Sequence, residues 1–368
     1  MRRSLSHVGG PCTLFGEPEL AKRLEFCLNV RPAQKLPLTH GFHAYPARMH
    51  PEIARRALQR FRPRGRVLDP FVGSGTTALE ALRAGLPFAG CDVSRVALEI
   101  AWARTHIWPR DEARRIEREG HRIAKEAQPV EPAGWPDAEW FDPGTLAEIA
   151  GLKELIDASD LRRILLVVLS SLLVKLSRQV SDSVAAPDPD SRPRPPGTAL
   201  RFFADKCSEL TKNLLLLGSE LHKGGLPARD PGLRLADART VDFAPTADDL
   251  VLTSPPYPGT YDYAHHHRLR FPLFGDDGAT FADAHEIGAR RTFEPRRYRD
   301  DLRACLERLR PARALLLIGD DRGVPAERLV RDIAKVAAFA SQWRLNNKRE
   351  HLILLAGNPP APRPVKAP

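Results

Sequence analysis

Residues 67–77 read Val67-Leu68-Asp69-Pro70-Phe71-Val72-Gly73-Ser74-Gly75-Thr76-Thr77. A short apolar run ends in a carboxylate, passes through a glycine-rich turn and enters a helix-forming stretch, which is the signature of a strand–turn–helix unit. Gly73, Gly75 and Ala78 fit the spacing G-x-G-x-x-A, and small residues at those places let the backbone approach a nucleotide-like ligand. Working outward, the helix from about Thr76 to Ala84 ends at Gly85-Leu86-Pro87. Phe88 to Cys91 is the next strand with Asp92 at its tip, a helix from Val96 to His106 follows it, and Glu52 to Gln59 is a helix upstream. This alternation predicts an α/β fold with a doubly wound, mostly parallel sheet. Asp92 is placed to accept hydrogen bonds from two ribose hydroxyls. The glycine turn alone suits a dinucleotide as well as S-adenosylmethionine. The preceding Asp69-Pro70-Phe71 favours the latter, as does a second carboxylate, Asp237, at another strand end and placed to read an adenine amine.

Beyond residue 110 the alternation stops. Residues 110–130 are charged and helix-prone, Leu146 to Ile156 and Leu161 to Leu176 read as helices, and Ala199 to His222 resumes helical periodicity. Ala185 to Gly197 carries too many prolines for a helix or a central strand and is expected to be an exposed loop. Strands return at Leu233 to Asp237, Leu250 to Thr253 and Ala314 to Gly319. Gln342 to Leu345 and His351 to Leu355, separated by Asn346-Asn347-Lys348, read as a closing antiparallel hairpin. Residues 110–225 are thus a helical insertion in one α/β domain, far longer than an ordinary connection. Residues 1–40 carry no strong pattern.

Composition sets the class of partner. With 368 residues, 42% of them hydrophobic and 28% charged, the chain has the make-up of a globular protein with a sizeable core. Its net charge of +10 favours a polyanionic partner, because each neutralised phosphate releases counterions. Cys12, Cys27, Cys91, Cys207 and Cys305 are scattered and odd in number, which argues against a zinc site or a disulfide framework and fits a reducing cytosol. No signal core opens the chain, and the apolar stretch Ile164 to Leu176 is too short to span a bilayer. A soluble, cytoplasmic protein is expected.

A second motif follows the buried run Leu250-Val251-Leu252-Thr253, namely Ser254-Pro255-Pro256-Tyr257. Two prolines fix two φ angles and aim the neighbouring carbonyls and the serine hydroxyl. An aromatic exocyclic amine is a poor nucleophile because its lone pair is delocalised into the ring. Two acceptors on its hydrogens pull the nitrogen toward tetrahedral geometry and expose the lone pair, and the candidates are Ser254 Oγ and the Pro255 carbonyl. Tyr257 is the candidate platform for a base rotated out of its helix.

Together the two motifs resemble the amino-DNA methyltransferases, with Asp69 to Thr77 matching the nucleotide-binding motif and Ser254 to Tyr257 the catalytic one. The segment His43 to Pro51 resembles the family's cover over the methionine end of the cofactor, and Tyr257 to Tyr263 with His267-Arg268-Leu269 resembles bacterial modification enzymes. The resemblance implies a Rossmann-like class I methyltransferase fold and S-adenosylmethionine as methyl donor. It also implies double-stranded DNA as substrate, bound with base flipping, and leaves room for a cognate restriction endonuclease. Serine at the first catalytic position goes mostly with cytosine N4 in this family, and aspartate or asparagine with adenine N6; an RNA base is a further alternative. The implied division is 1–60 as cofactor cover, 61–110 as the donor half of the sheet, 111–225 as the insertion that could serve target recognition, 226–360 as the catalytic half, and 361–368 as a disordered tail. Expected donor-facing residues are Tyr45, Asp69, Pro70, Phe71, Gly73, Ser74, Gly75, Thr76, Asp92, Val93, Asp237, Ala238 and Ser254, with Ser254, Pro255, Pro256 and Tyr257 catalytic.

Basic and aromatic residues near the second motif are the expected DNA contacts: Arg178, Tyr261, Arg268, Arg290 and Arg291. No metal is expected. His265-His266-His267 has no acidic or cysteine partner nearby in sequence, and consecutive side chains diverge, so a solvated or DNA-facing run is the expectation. Cys12 is read as incidental, since methylation of an amine needs no covalent adduct.

Overall fold

The computed structural model describes residues 11–30, 36–46, 48–182, 184–188, 190–227, 229–275, 286–310, 312–320, 325–343 and 349–356. Its centre is an eight-stranded sheet in the order β1-β9-β10-β8-β7-β2-β3-β6. The strands are β1 (Cys12–Gly16), β2 (Val67–Asp69), β3 (Phe88–Asp92), β6 (Leu233–Leu235), β7 (Leu250–Thr253), β8 (Arg313–Gly319), β9 (Val336–Trp343) and β10 (Arg349–Leu355). From β6 to β8 all pairings are parallel, whereas β10 runs antiparallel to β8 and to β9. The α/β class with a mostly parallel sheet and a closing antiparallel hairpin is therefore as the sequence predicts. Residues 344–348, which include the expected Asn346-Asn347-Lys348 turn, and the expected tail 361–368 lie outside the described residues.

The central parallel strands β2, β7 and β8 are largely apolar because both of their faces are covered. Val67, Leu250, Leu252, Leu315 and Leu317 enter the core beneath α1 (Pro18–Leu28), α2 (Pro51–Phe61) and α3 (Thr76–Arg83). Their neighbours Leu68, Val251, Leu316 and Ile318 point the other way, toward α12 (Pro295–Arg308) and α13 (Ala326–Ile333). β2 and β7 are neighbours from which the strand order runs in opposite directions. Such a switch point leaves a crevice at the carboxyl ends of the strands, the usual place for a ligand in an open α/β sheet.

Between β3 and β6 the chain is largely helical, with α4 (Arg95–Thr105), α5 (Arg110–Glu126), α6 (Pro143–Asp157), α7 (Arg162–Ser170), α8 (Leu173–Leu176) and α9 (Thr198–Lys223). α5 and α9 pack at close range. A Cβ on Gly120 would stand 2.3 Å from Cys207 Sγ, and Thr211 donates to the Ala113 carbonyl at 3.2 Å. The expected loop at 185–197 needs correction at its start: 190–197 carries no helix or strand, but Val184–Pro187 is a strand, β5, paired antiparallel with β4 (Gln179–Ser181). Proline is tolerated there because the pair forms a two-stranded sheet of its own with open edges. β1 and α1 lie where the sequence shows no pattern; β1 is an edge strand whose Leu14 and Phe15 are exposed. No described helix is long and apolar enough to cross a membrane.

Candidate active site

A cleft, enclosing about 910 Å³ with its open mouth included, lies over the carboxyl ends of β2, β3, β6 and β7. Every expected donor-facing residue lines it except Gly75. Gly75 acts from behind: it sits at φ +80°, and a Cβ there would meet Ala101 Cβ at 2.8 Å, so its bareness lets α4 close against the turn. Gly73, at φ +50°, faces the cleft with the Tyr45 ring above it, 3.4 Å from where a Cβ would stand. α3 begins at Thr76 with no side-chain cap, so its first-turn amides border the cleft beside Thr76 and Thr77.

Three carboxylates mark successive strand tips, and each is held differently. Asp69 accepts from Thr253 Oγ1 at 2.5 Å and from the Phe71 amide at 3.0 Å, which ties β2 to β7 directly below the second motif. Burial raises its pKa to about 6, against those hydrogen bonds. Asp92 accepts from the Gly73 amide at 2.8 Å and the Ser94 amide at 2.9 Å, one on each oxygen. Burial likewise raises it to about 6 although the amides oppose this. A carboxylate has about four acceptor sites, so Asp92 retains capacity for two ligand hydroxyls. At Asp237 burial disfavours the charge, but the hydrogen bonds and charge of Arg239 outweigh it and hold the carboxyl below its usual range. Arg239 also bridges to Asp301 on α12 at 3.0 Å.

Ser254 and Pro256 line the same cleft. Among the described residues the Ser254 hydroxyl makes no hydrogen bond. Pro255 is buried. The Pro256 carbonyl accepts from Tyr298 Oη at 2.7 Å, and Tyr298 is itself buried on α12. Tyr257 does not line the cleft wall. It is half-buried at the far end of the turn, with its hydroxyl 3.1 Å from Glu350 Oε1.

Two contributors to the site, Arg104 and Glu286, carried no signal in the sequence, and a third, Arg48, stood unremarked in the quoted segment His43 to Pro51. Arg104, fully buried on α4, donates to the carbonyls of Ser74 and His43, at 2.8 and 2.5 Å. It thereby ties the backbone at His43 to the glycine turn. Arg48 adds a bond to the His40 carbonyl at 2.7 Å. Glu286 lines the cleft and accepts from the amides of Tyr263 and Ala264, at 2.5 and 3.3 Å, on α10 (Tyr263–His267). Burial, with Asp262 and Asp92 adding to it, raises the Glu286 carboxyl to about 7 despite the two amides. Met49, Val72, Thr77 and Tyr263 also line the cleft and stood in quoted motifs.

The expected DNA contacts scatter. Arg290 and Arg291 are exposed, and Arg291 pairs with Asp262 at 3.6 Å. Arg178 is exposed beside β4. Tyr261 is half-buried against the His266 ring, 5.5 Å between centroids. Arg268 is turned inward instead: its guanidinium lies 3.7 Å over Trp140 and faces Asp137 at 3.8 Å, since stacking and a carboxylate hold the cation better than open solvent. The histidine run also needs correction, because His266 and His267 are buried, not solvated. α10 dips inward, and the His267 ring lies 4.9 Å from that of Tyr45, behind the cleft.

Residues 26–102, which include β2, the glycine turn, β3 and most of α4, match the family model described as DNA methylase, of the N6/N4 type. Through this segment the chain is similar to the amino-DNA methyltransferases. Over 72 residues it is 39% identical to the Type II methyltransferase M.MvaI of Kocuria varians, a match that covers 18% of this chain and 16% of that protein. The chain thus aligns with about a sixth of the length of this methyltransferase relative, and the second motif lies outside the family-model match.

Proposed function

We propose that this protein transfers a methyl group from S-adenosylmethionine to the exocyclic N4 amine of a cytosine in double-stranded DNA. The observation that carries the reading is that Ser254, at the end of β7, faces the same cleft as the glycine turn and Asp92. A donor site without an amine acceptor fits many ligands; the two motifs on one cleft fit amine methylation.

The cleft suits the donor in chemistry, being concave and lined by carboxylates at strand ends. When bound, S-adenosylmethionine supplies an electrophilic methyl group. Asp92 would hold the ribose hydroxyls, Asp237 would face the adenine amine, and Tyr45 with Gly73 would cover the methionine end. Ser254 Oγ and the Pro255 carbonyl would accept the two amine hydrogens of the base and turn its lone pair outward. Their contribution is greatest as the nitrogen becomes tetrahedral, so it belongs to the transition state rather than to binding. Tyr257 would stack on the extruded base, and exposed Arg290 and Arg291 would meet phosphates. The serine of Ser254-Pro255-Pro256-Tyr257 supports cytosine over adenine.

Incubation with tritiated donor and genomic DNA, followed by digestion to nucleosides, tests the proposal. Label in N4-methylcytosine is expected. Label in N6-methyladenine would move the reading to adenine, and labelled RNA with unlabelled DNA would change the substrate. No transfer to either would refute it.

A further inference from the structure

Beyond the cleft, the antiparallel end of the sheet holds an arrangement that donor binding does not require. Gly319 closes β8, Glu350 lies at the start of β10, and the two are direct partners in the antiparallel ladder. The Tyr257 ring rests on this pair. A Cβ on Gly319 would stand 2.6 Å from Tyr257 Cε2 and 2.7 Å from Cδ2, and Tyr257 Oη donates to Glu350 Oε1 at 3.1 Å. The backbone of Gly319 is not in the left-handed region, so an L side chain would be tolerated there but for the ring. The tyrosine, not the turn, demands the glycine.

The floor under the ring is locked. The Asp320 amide donates to the Arg349 carbonyl at 2.9 Å. His351, next to Glu350 and almost fully buried, has Asp320 Oδ1 at 2.8 Å on one ring nitrogen and Ser341 Oγ at 2.6 Å on the other. Asp320 Oδ1 also accepts from the Ala326 amide at the start of α13. Three strands and a helix are pinned at the point where the ring sits. From the opposite side, Tyr298 holds the Pro256 carbonyl. A stacking platform whose plane is set in advance avoids the ordering cost that a loose ring meets at each capture.

We propose that Gly319 and Glu350 are positioning residues that fix the plane of Tyr257 for an incoming base, which makes β10 part of the substrate-binding machinery; this rests on the proposed role of Ser254 to Tyr257. Gly319 sets the depth of the ring and Glu350 its rotation. Neither touches the donor cleft, so their effect falls on the base and leaves the donor aside.

The chain has five tyrosines, so selective 13Cζ labelling gives a five-line spectrum in which Tyr257→Phe identifies the Tyr257 line. Glu350→Ala is expected to move that line and to leave the other four unchanged, which also certifies the fold. Glu350→Gln keeps an acceptor oxygen and should return the line close to its original position. In tritium transfer to genomic DNA, Glu350→Ala and Gly319→Ala should each raise KM for DNA about tenfold, the scale of one hydrogen bond to a charged group, with KM for the donor unchanged. Glu350→Gln should restore most of that loss. Tyr257→Phe combined with Glu350→Ala should be no worse than either alone. An unmoved Tyr257 line in Glu350→Ala overturns the tether. A moved line with unchanged KM for DNA overturns the positioning role. A wild-type protein that methylates nothing overturns the methyltransferase reading and the role built on it. Failure of the seat alone looks different, with wild type active and Glu350→Ala its equal.

Discussion

Replacing Asp92 by alanine separates the donor site from everything else in the cleft. Its carboxylate accepts one backbone amide on each oxygen, from Gly73 and Ser94, and has room for one further donor on each. Loss of hydrogen bonds to a charged acceptor costs about 1.5–3 kcal/mol, so donor affinity should fall roughly tenfold to 150-fold. The pH dependence adds an internal check. With the carboxyl raised to about 6, roughly one molecule in eleven carries the charge at pH 5, whereas nearly all do at pH 8. If the ribose hydroxyls need the ionised form, donor Kd should weaken by about tenfold from pH 8 to pH 5. Asp92→Ala should lose Asp92's share of that dependence, whatever Glu286 and Asp69 contribute in both proteins. Titration calorimetry with S-adenosylmethionine at pH 5 and pH 8, on wild type and on a variant shown to be folded by circular dichroism, measures both effects. Equal affinity at pH 8, or an identical pH dependence in the two proteins, would refute the assignment.

Ser254→Ala should bind donor and DNA nearly as wild type but lose about a hundredfold in kcat, the scale of one preorganised hydrogen-bond partner, as read by single-turnover methyl transfer; normal turnover would reduce the serine to a turn residue. Gly75→Ala combines a left-handed backbone with a 2.8 Å contact to Ala101, and urea unfolding should show a loss of about 2–5 kcal/mol, against less than about 1 if the turn can yield. Replacing Arg290 and Arg291 together by alanine should flatten the slope of log K against log salt for DNA by about one to two units, read by fluorescence anisotropy; an unchanged slope returns them to the solvated surface.

The sheet and the cleft were legible where local chemistry is forced. Val67-Leu68 and Leu250 to Leu252 read as strands because both faces are buried, and the glycine turn because two positions need φ above zero. Asp92 and Asp237 announced themselves as acids at strand tips. What escaped was set by tertiary context. β1 is five residues long and exposed along most of its length, so its pairing with distant β9 leaves no period in the sequence. The burial of His266 and His267 follows from the path of a five-residue helix, which no periodicity can report. Arg104 looks like any surface arginine on α4 until the fold lays two carbonyls against it. Glu286 becomes a cleft residue only because α10 offers it two amides.

The order of strands has a consequence for how the molecule comes to life. β10, the last described strand along the chain, is inserted between β8 and β9, and β1 near the other end joins the sheet only through β9. The β1 join links residues far apart in sequence, and such a closure comes late because the chain must be ordered before the contact rewards it. β10, by contrast, pairs with its sequence neighbours β8 and β9 and waits only for its own synthesis. A chain emerging from the ribosome therefore carries its glycine turn and its Ser254 to Tyr257 turn well before the floor under Tyr257 exists. The donor half can assemble early, while the ring that would receive a base stays unseated until β10 docks, so competence would arrive in one late step.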